Sequence, residues 1–196
     1  MHADYDLATL LRYENIAWYE EGAVKILDRR VYPAKLEYVV CRSYTEVARA
    51  VTDMITQSYG PFHAAAMGMA LAAHECRDQS AEGQRAFLKR AADVIANARP
   101  TTMRKMRTWT DDCERDAFAA LDAGECACEA ILSGALRKFD ARYERLAQLG
   151  RNMAALIPDG GAVMTQCYGD ADLGMTLRAL KESGKRARFF SPETRP

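Results

Sequence analysis

Residues 96–107, ANARPTTMRKMR, hold a pattern that suits phosphate binding. Pro100 fits the start of a helix, where backbone N–H groups are free and the helix dipole is positive. Arg99 stands directly before that start, and a guanidinium there could grip a phosphate through parallel hydrogen bonds. A capped helix with ordinary surface cations explains the same spacing equally well. Arg99 is therefore a candidate phosphate ligand, with the structural explanation left open.

The segment VMTQCYGDAD, residues 163–172, holds a second candidate, Cys167. Residues 162–165 are typical of a strand, and Cys167 follows them shortly before Gly169 and an acidic turn. A thiol between a strand end and a helix N-terminus is accessible and favours the reactive thiolate. A buried structural cysteine is the alternative, and composition alone favours it. The other five cysteines are predicted to lie on a sheet or within helices, where burial keeps them unreactive.

Other groups of polar residues fail a geometric check. Cys126 and Cys128 would point about 200° apart on a helix and could not share a metal ion. His63 and His74 share a helix face but would stand about 16 Å apart. The acidic residues between 111 and 116 are typical of a solvated helix face. We therefore predict no metal site, and we expect no cofactor.

The elements that position these candidates begin with short β-rich runs, at 16–19, 23–27 and 36–41. Turn signals at 21–22 and 32–33 separate the runs and predict a small antiparallel sheet. Ser43 and Glu46 have the spacing of a capping box. Only helices are predicted from there to about residue 155.

Breaks between these helices are predicted at 59–61, 80, 99–100 and 124. In the last helix, apolar residues recur at intervals of three and four, which predicts one core-facing stripe. The stripe consists of Ile131, Leu132, Ala135, Leu136, Phe139, Tyr143, Leu146 and Leu149.

The chain changes character after Pro158. Residues 162–165 and 187–190 are typical of strands, and 173–182 of a short helix, which together predict a parallel βαβ unit. Parallel strands are normally covered on both faces and flanked by further strands. The fold class is therefore α+β. A sheet-and-helix domain at 1–155 precedes the incomplete opening of a larger α/β domain at 156–196.

Composition excludes several classes of protein. Lys and Arg together number 27, as do Asp and Glu, and this balance argues against nucleic-acid or anionic-membrane partners. No apolar run approaches the roughly 20 residues of a membrane span, and the first residues lack the pattern of a signal peptide. The six scattered cysteines are expected to be free thiols in the cytoplasm.

Five segments, in their order, resemble one protein family. They are ILDRRVYP (26–33), AAAMGMALAA (64–73), ARPTT (98–102), VMTQC (163–167) and ETRP (193–196). The family comprises the methylthioribose-1-phosphate isomerases, the ribose-1,5-bisphosphate isomerases and the regulatory subunits of the eukaryotic initiation-factor-2B exchange factor. The resemblance runs along nearly the whole chain.

This resemblance implies a helical N-terminal domain with a small sheet, followed by a Rossmann-like domain that forms a homodimer. The family's enzymes convert an aldose 1-phosphate to the ketose. Cys167 matches the family's catalytic cysteine, and Arg99 matches an arginine that grips the substrate phosphate. The catalytic aspartate of the family is expected beyond residue 196.

The chain also departs from the family pattern. Where the isomerases carry an arginine-containing turn, residues 55–61 read ITQSYGP, so Gln57 and Ser58 could donate hydrogen bonds but carry no charge. The chain ends near the midpoint of a typical member. One hypothesis is a sugar-phosphate isomerase that works as part of a longer chain, as a homodimer or with a C-terminal-half chain. The other is a non-catalytic regulatory module that binds a sugar phosphate or a nucleotide.

Overall fold

The computed structural model describes residues 4–192, and the ETRP segment at 193–196 lies outside them. Contacts within the chain group the residues into two compact units. One unit is Tyr13–Lys138, and the other combines residues 4–12 with 139–192. The predicted domain boundary between 155 and 156 stays a prediction. None of the described helices is long and apolar enough to span a membrane.

A three-stranded antiparallel sheet opens the unit Tyr13–Lys138, as predicted. Its strands, in spatial as well as chain order, are β1 (Ala17–Glu20), β2 (Ala23–Leu27) and β3 (Tyr38–Cys41). The turn between β1 and β2 has φ of 48° at Glu21 and 76° at Gly22. Two successive positive φ values are typical of the tight hairpin turn that matches strand twist.

Seven α-helices are described between residues 4 and 192. They are α1 (Tyr13–Ile16), α2 (Tyr44–Thr52), α3 (Gly60–Glu75), α4 (Ala81–Ala96), α5 (Met103–Asp122), α6 (Ala127–Leu156) and α7 (Asp170–Glu182). Two short 3-10 turns lie at Thr9–Leu11 and Pro100–Thr102. Ser43 and Ser80 cap α2 and α4, since each hydroxyl accepts a hydrogen bond from the backbone N–H three residues on. Capping therefore starts these two helices where the sequence predicts.

Helix α3 is the core of its unit. Residues 60–73 are all buried, so this helix is apolar on every side. Gly68 shows how closely its neighbours approach. A Cβ there would lie 2.9 Å from Val47 Cγ1 and 3.2 Å from Ile95 Cδ1. Small residues in α3 therefore let α2 and α4 pack against it directly.

The second unit contains the predicted strand–helix–strand segment. Strands β4 (Gly161–Met164) and β5 (Ala187–Phe190) pair in parallel, and α7 connects them. One face of this sheet packs on a small core, formed by Ala154, Ile157, Ala179 and Leu180. On the opposite face Met164 is 74% exposed and Phe190 51%. The two-stranded sheet is therefore covered on one face only within the described residues.

The predicted stripe on α6 is confirmed except at its last residue, Leu149. Ile131, Phe139 and Tyr143 are buried, but Leu149 is 40% exposed. Gly150 faces inward instead, because a Cβ there would lie 2.5 Å from the backbone carbonyl carbon of Met175. A straight helix drifts away from a stripe of three- and four-residue steps over two or three heptads. The buried face of α6 therefore rotates by one position along its length.

Candidate functional site

The loop before α3 carries Gln57 and Ser58 at the N-terminus of a 16-residue helix. Ser58 is exposed and has φ of 57°, a left-handed conformation that costs energy for a residue other than glycine. The backbone carbonyl of Gln57 accepts a hydrogen bond from Gly60 N at 2.9 Å. Within residues 4–192 neither side chain is hydrogen-bonded. Both side chains are thus available to a ligand at the positive end of the α3 dipole.

Tyr59 attaches this loop to helix α5. Its ring lies edge-on to Phe62, at 4.8 Å between ring centroids, and to Trp109, at 6.2 Å. The Lys105 ammonium stands 4.5 Å from the centroid of Tyr59 and 4.7 Å from that of Phe62. Such aromatic and cation–π contacts stabilise a fixed geometry. They place a lysine of α5 next to the loop.

Arg99 lies in the turn that precedes α5. Pro100 opens a 3-10 turn rather than the α-helix itself, because Thr102 N donates to Arg99 O at 3.1 Å, three residues back. The predicted helix start is therefore three residues too early, since α5 begins at Met103. The Thr52 hydroxyl donates to Ala98 O at 2.8 Å and so ties this turn to the end of α2. Arg99 is half-buried, and its guanidinium forms no ion pair with any residue between 4 and 192.

An open cleft of 330 Å³ lies at the start of α5. Its walls are formed by Thr101, Thr102, Arg104, Lys105 and Thr108. Hydroxyl and cationic groups there are donors without an acidic residue among them. A cleft of this composition suits an anion. Arg99 does not line it.

Arg29, which the sequence analysis missed, also reaches the Gln57 loop. Its Nη1 donates to Gln57 O at 3.2 Å, and its backbone N donates to Ile55 O at 2.8 Å. The contact joins residues 28 positions apart, which no local pattern could reveal. The only signal in the sequence is the arginine pair in ILDRRVYP, directly after β2.

The neighbouring Arg30 is held by Asp28. Arg30 Nε and Nη2 donate to the two carboxylate oxygens of Asp28, at 3.0 and 2.7 Å. These charged hydrogen bonds lower the pKa of Asp28 below its ordinary value, and burial opposes the effect. Asp28 is thus saturated by Arg30 and leaves Arg29 without a carboxylate partner.

Cys167 belongs to the other unit, three residues after β4 ends. It is exposed, and its carbonyl accepts a hydrogen bond from the Thr165 hydroxyl at 2.6 Å. Gly169, with φ of 76°, then begins α7. Two carboxylates, Asp170 and Asp172, stand in the first turn of that helix. The thiol thus lies between a strand end and a helix N-terminus, accessible to reagents.

The remaining cysteines differ from the prediction at one position. Burial raises the pKa of Cys41 and Cys76 to about 11 and that of Cys113 to about 12. Cys128 is also buried and has a raised pKa for the same reason. Cys126, however, is exposed, because it stands in the connection before α6 rather than within the helix. Within residues 4–192, no three His, Cys, Asp or Glu side chains are grouped to hold a metal ion.

Comparisons with known proteins cover nearly the whole chain. A methylthioribose-1-phosphate isomerase from Thermotoga maritima is 32% identical over 194 residues, which are 95% of this chain and 55% of that protein. A putative methylthioribose-1-phosphate isomerase from Archaeoglobus fulgidus is 32% identical over 192 residues, covering 93% and 55%. The chain thus spans about half the length of the curated relatives it matches.

Two solved structures share the mixed helix-and-sheet fold. Translation initiation factor eIF-2B, subunit delta, from A. fulgidus has a TM-score of 0.71 at 28% identity, over 93% of this chain and 55% of that one. The 5-methylthioribose 1-phosphate isomerase from Pyrococcus horikoshii has a TM-score of 0.72 at 20% identity, over 94% and 54%. The model of the initiation factor 2 subunit family matches residues 60–196. This chain therefore belongs to the initiation factor 2 subunit family.

Proposed function

We propose that the protein binds a sugar phosphate and contributes to an aldose–ketose isomerase of the methylthioribose-1-phosphate type. The observation that carries this proposal is Arg99, a half-buried residue whose guanidinium has no ion pair among residues 4–192. Desolvating a charge costs energy unless a counter-charge is close. A phosphate monoester matches the guanidinium geometry and would offset that cost.

In the proposed reaction, Arg99 anchors the phosphate while Gln57 and Ser58 donate hydrogen bonds to it. Ring opening breaks the bond between C1 and the ring oxygen, which takes up a proton, while C1 keeps its phosphate. Hydrogen then moves with its electron pair from C2 to C1, and the C2 hydroxyl gives up its proton as the ketose carbonyl forms. Cys167 serves this transfer together with an aspartate expected beyond residue 196. Exclusion of water would protect the open-chain sugar.

The rest of the site needs further polypeptide. We take 1–155 as the first domain and β4–α7–β5 as the first unit of a Rossmann-like domain at 156–196. The exposed Met164 and Phe190 side chains support a partner for that sheet. It would be either a second copy or a chain equivalent to the unmatched part of the relatives. Six free cysteines support a cytoplasmic location.

A second candidate is a regulatory module without turnover. It is favoured by Ser58, which brings no charge to the loop where the isomerases have an arginine. The likeness to the A. fulgidus delta subunit supports it as well. Such a module would bind the same sugar phosphate or a nucleotide through Arg99 and leave it unchanged.

Calorimetric titration of ribose 1-phosphate tests the shared part of both candidates. We expect Arg99→Ala to weaken binding by about 1.5–3 kcal/mol, the range for a hydrogen bond to a charged group. Arg90→Ala, an exposed arginine on α4, is the matched control and should bind normally. Unchanged affinity in Arg99→Ala would contradict the site.

Turnover separates the two candidates. The chain is mixed with a polypeptide equivalent to the unmatched part of the T. maritima relative, and formation of ketose phosphate from methylthioribose 1-phosphate is followed. Turnover that Cys167→Ser abolishes supports the isomerase. Binding without turnover in the assembled mixture supports the module.

A further inference from the structure

We propose that Arg29 is a second phosphate ligand and supplies the positive charge that the Gln57–Ser58 loop lacks. The inference rests on the proposed function, because it concerns the same bound phosphate. The inference rests on the contacts of Arg29 in the structure.

The charges around the arginine pair distinguish Arg29 from its neighbour. Both oxygens of Asp28 are occupied by Arg30 Nε and Nη2, and the first of them also accepts the Arg30 backbone N–H. Arg29 is half-buried, and within residues 4–192 its guanidinium contacts only the neutral carbonyl of Gln57. A guanidinium has five N–H donors, so most of them remain without an acceptor. The arrangement leaves one uncompensated positive charge against the loop.

The position of that charge is fixed at the N-terminus of α3. Arg29 is bonded to the loop twice, through its backbone N to Ile55 and through its side chain to Gln57. The first turn of α3 contains no acidic residue, so the positive end of the helix dipole adds to the guanidinium.

A second observation comes from Thr56, the residue between those two contacts. Thr56 is fully buried, and its hydroxyl has no hydrogen-bond partner among residues 4–192. It lies against Gly60, the first residue of α3. A buried polar group without a partner is costly and rare. The Thr56 hydroxyl therefore shows that a polar group at the start of α3 lacks a hydrogen-bond partner within the described residues.

The ligand that fits these groups is a phosphate monoester dianion. The planar guanidinium binds two of its oxygens, and the Gln57 amide and Ser58 hydroxyl can donate to the third. Together with Arg99, whose turn is held to the end of α2 by the Thr52–Ala98 hydrogen bond, Arg29 would give the site two arginines. The arginine absent from residues 55–61 would thus be replaced from a different segment of the chain.

A purely structural role for Arg29 makes a different prediction. If the side chain only holds the loop through Gln57 O, a neutral donor should serve as well. Arg29→Gln keeps a donor and removes the charge, whereas Arg29→Lys keeps the charge and changes the shape. We therefore compare these two variants with the wild type and with Arg99→Ala, using inorganic phosphate and ribose 1-phosphate as probes.

We expect Arg29→Gln to weaken phosphate binding roughly tenfold or more, as for loss of a charged hydrogen bond. Arg29→Lys should retain most of the affinity, with the stronger salt dependence of a point charge. Thermal unfolding of each variant confirms that the fold is intact. Phosphate protection of Arg29, but not Arg30, from phenylglyoxal in the wild-type chain gives a readout that needs no variant.

The outcomes separate this inference from the proposed function. Binding that depends on Arg99 but not on Arg29, with no protection of Arg29, overturns the inference and leaves the proposed function standing. Binding that depends on Arg29 but not on Arg99 supports the inference and removes the proposed role of Arg99. A wild-type chain that binds neither probe overturns both.

Discussion

At the scale of single residues, Asp28 determines which of the two adjacent arginines forms an ion pair. Its hydrogen bonds to Arg30 lower the pKa of the carboxyl group below its ordinary value of 3.8. The pair therefore stabilises the folded state above about pH 4, and this contribution is lost as the pH falls through the lowered pKa.

We expect Asp28→Asn to lower the free energy of unfolding by about 1–2 kcal/mol at pH 7, a range reduced because Arg30 is half-exposed. The difference from wild type should shrink as the pH approaches 3. Urea unfolding at several pH values measures it. Glu37→Gln, which breaks the exposed pair with Lys35, is the control and should change little. A difference that stays constant down to pH 3 would contradict the assignment.

Thiol reactivity is a second property of single residues. Limited alkylation at neutral pH should label Cys167 and Cys126 well before Cys41, Cys76, Cys113 and Cys128, because burial keeps the latter four protonated. Peptide mass spectrometry gives the order. Cys167 ahead of Cys126 supports a thiol prepared for chemistry, whereas Cys167 among the slow group would remove it from the proposed site.

At the scale of elements, sequence patterns within a few residues predicted turns and helix starts, whereas contacts between residues far apart in the chain were not predicted. The Glu21–Gly22 turn, the Ser43 cap and the helix break at Ser80 depend on residues close by in the chain, so the sequence places them correctly. The candidate site depends on contacts that no local pattern contains. Arg29 meets Gln57 from 28 positions away, and Thr52 meets Ala98 from 46. Arg99 was therefore found from the local helix-start pattern, Ser58 by resemblance, and Arg29 only by structure.

Gly150 tests how α6 packs on α7. Alanine normally stabilises a helix relative to glycine by roughly 0.5–1 kcal/mol. Here the added Cβ would lie 2.5 Å from backbone atoms of Met175, so we expect Gly150→Ala to destabilise the protein by about 1–3 kcal/mol. Gly134→Ala is the matched control in the same helix, because its Cβ would meet only the Asp116 carboxylate tip, which can rotate away. Urea unfolding followed by circular dichroism measures both, and equal effects would contradict the tight α6–α7 contact.

At the scale of the whole chain, the two-stranded sheet should be less protected than the long helix. β5 pairs with β4 alone within the described residues, and alternate side chains of both strands are exposed. Ile131, Phe139 and Tyr143 bury one face of α6. Local opening costs less where few apolar contacts resist it. Hydrogen exchange should therefore be slow at 131–149 and fast at 187–190, and equal protection would contradict this difference.

The position of Trp109 in α5, edge-on to Tyr59, has a consequence for optical spectroscopy. The chain contains two tryptophans, Trp18 in β1 and Trp109 in α5, and both belong to the unit Tyr13–Lys138. Tryptophan emission therefore arises from that unit, whereas far-ultraviolet dichroism reports on the helices of both. Superimposable melting curves from the two signals would indicate a single cooperative transition. Separate midpoints would show which unit melts first, without a label or a mutation.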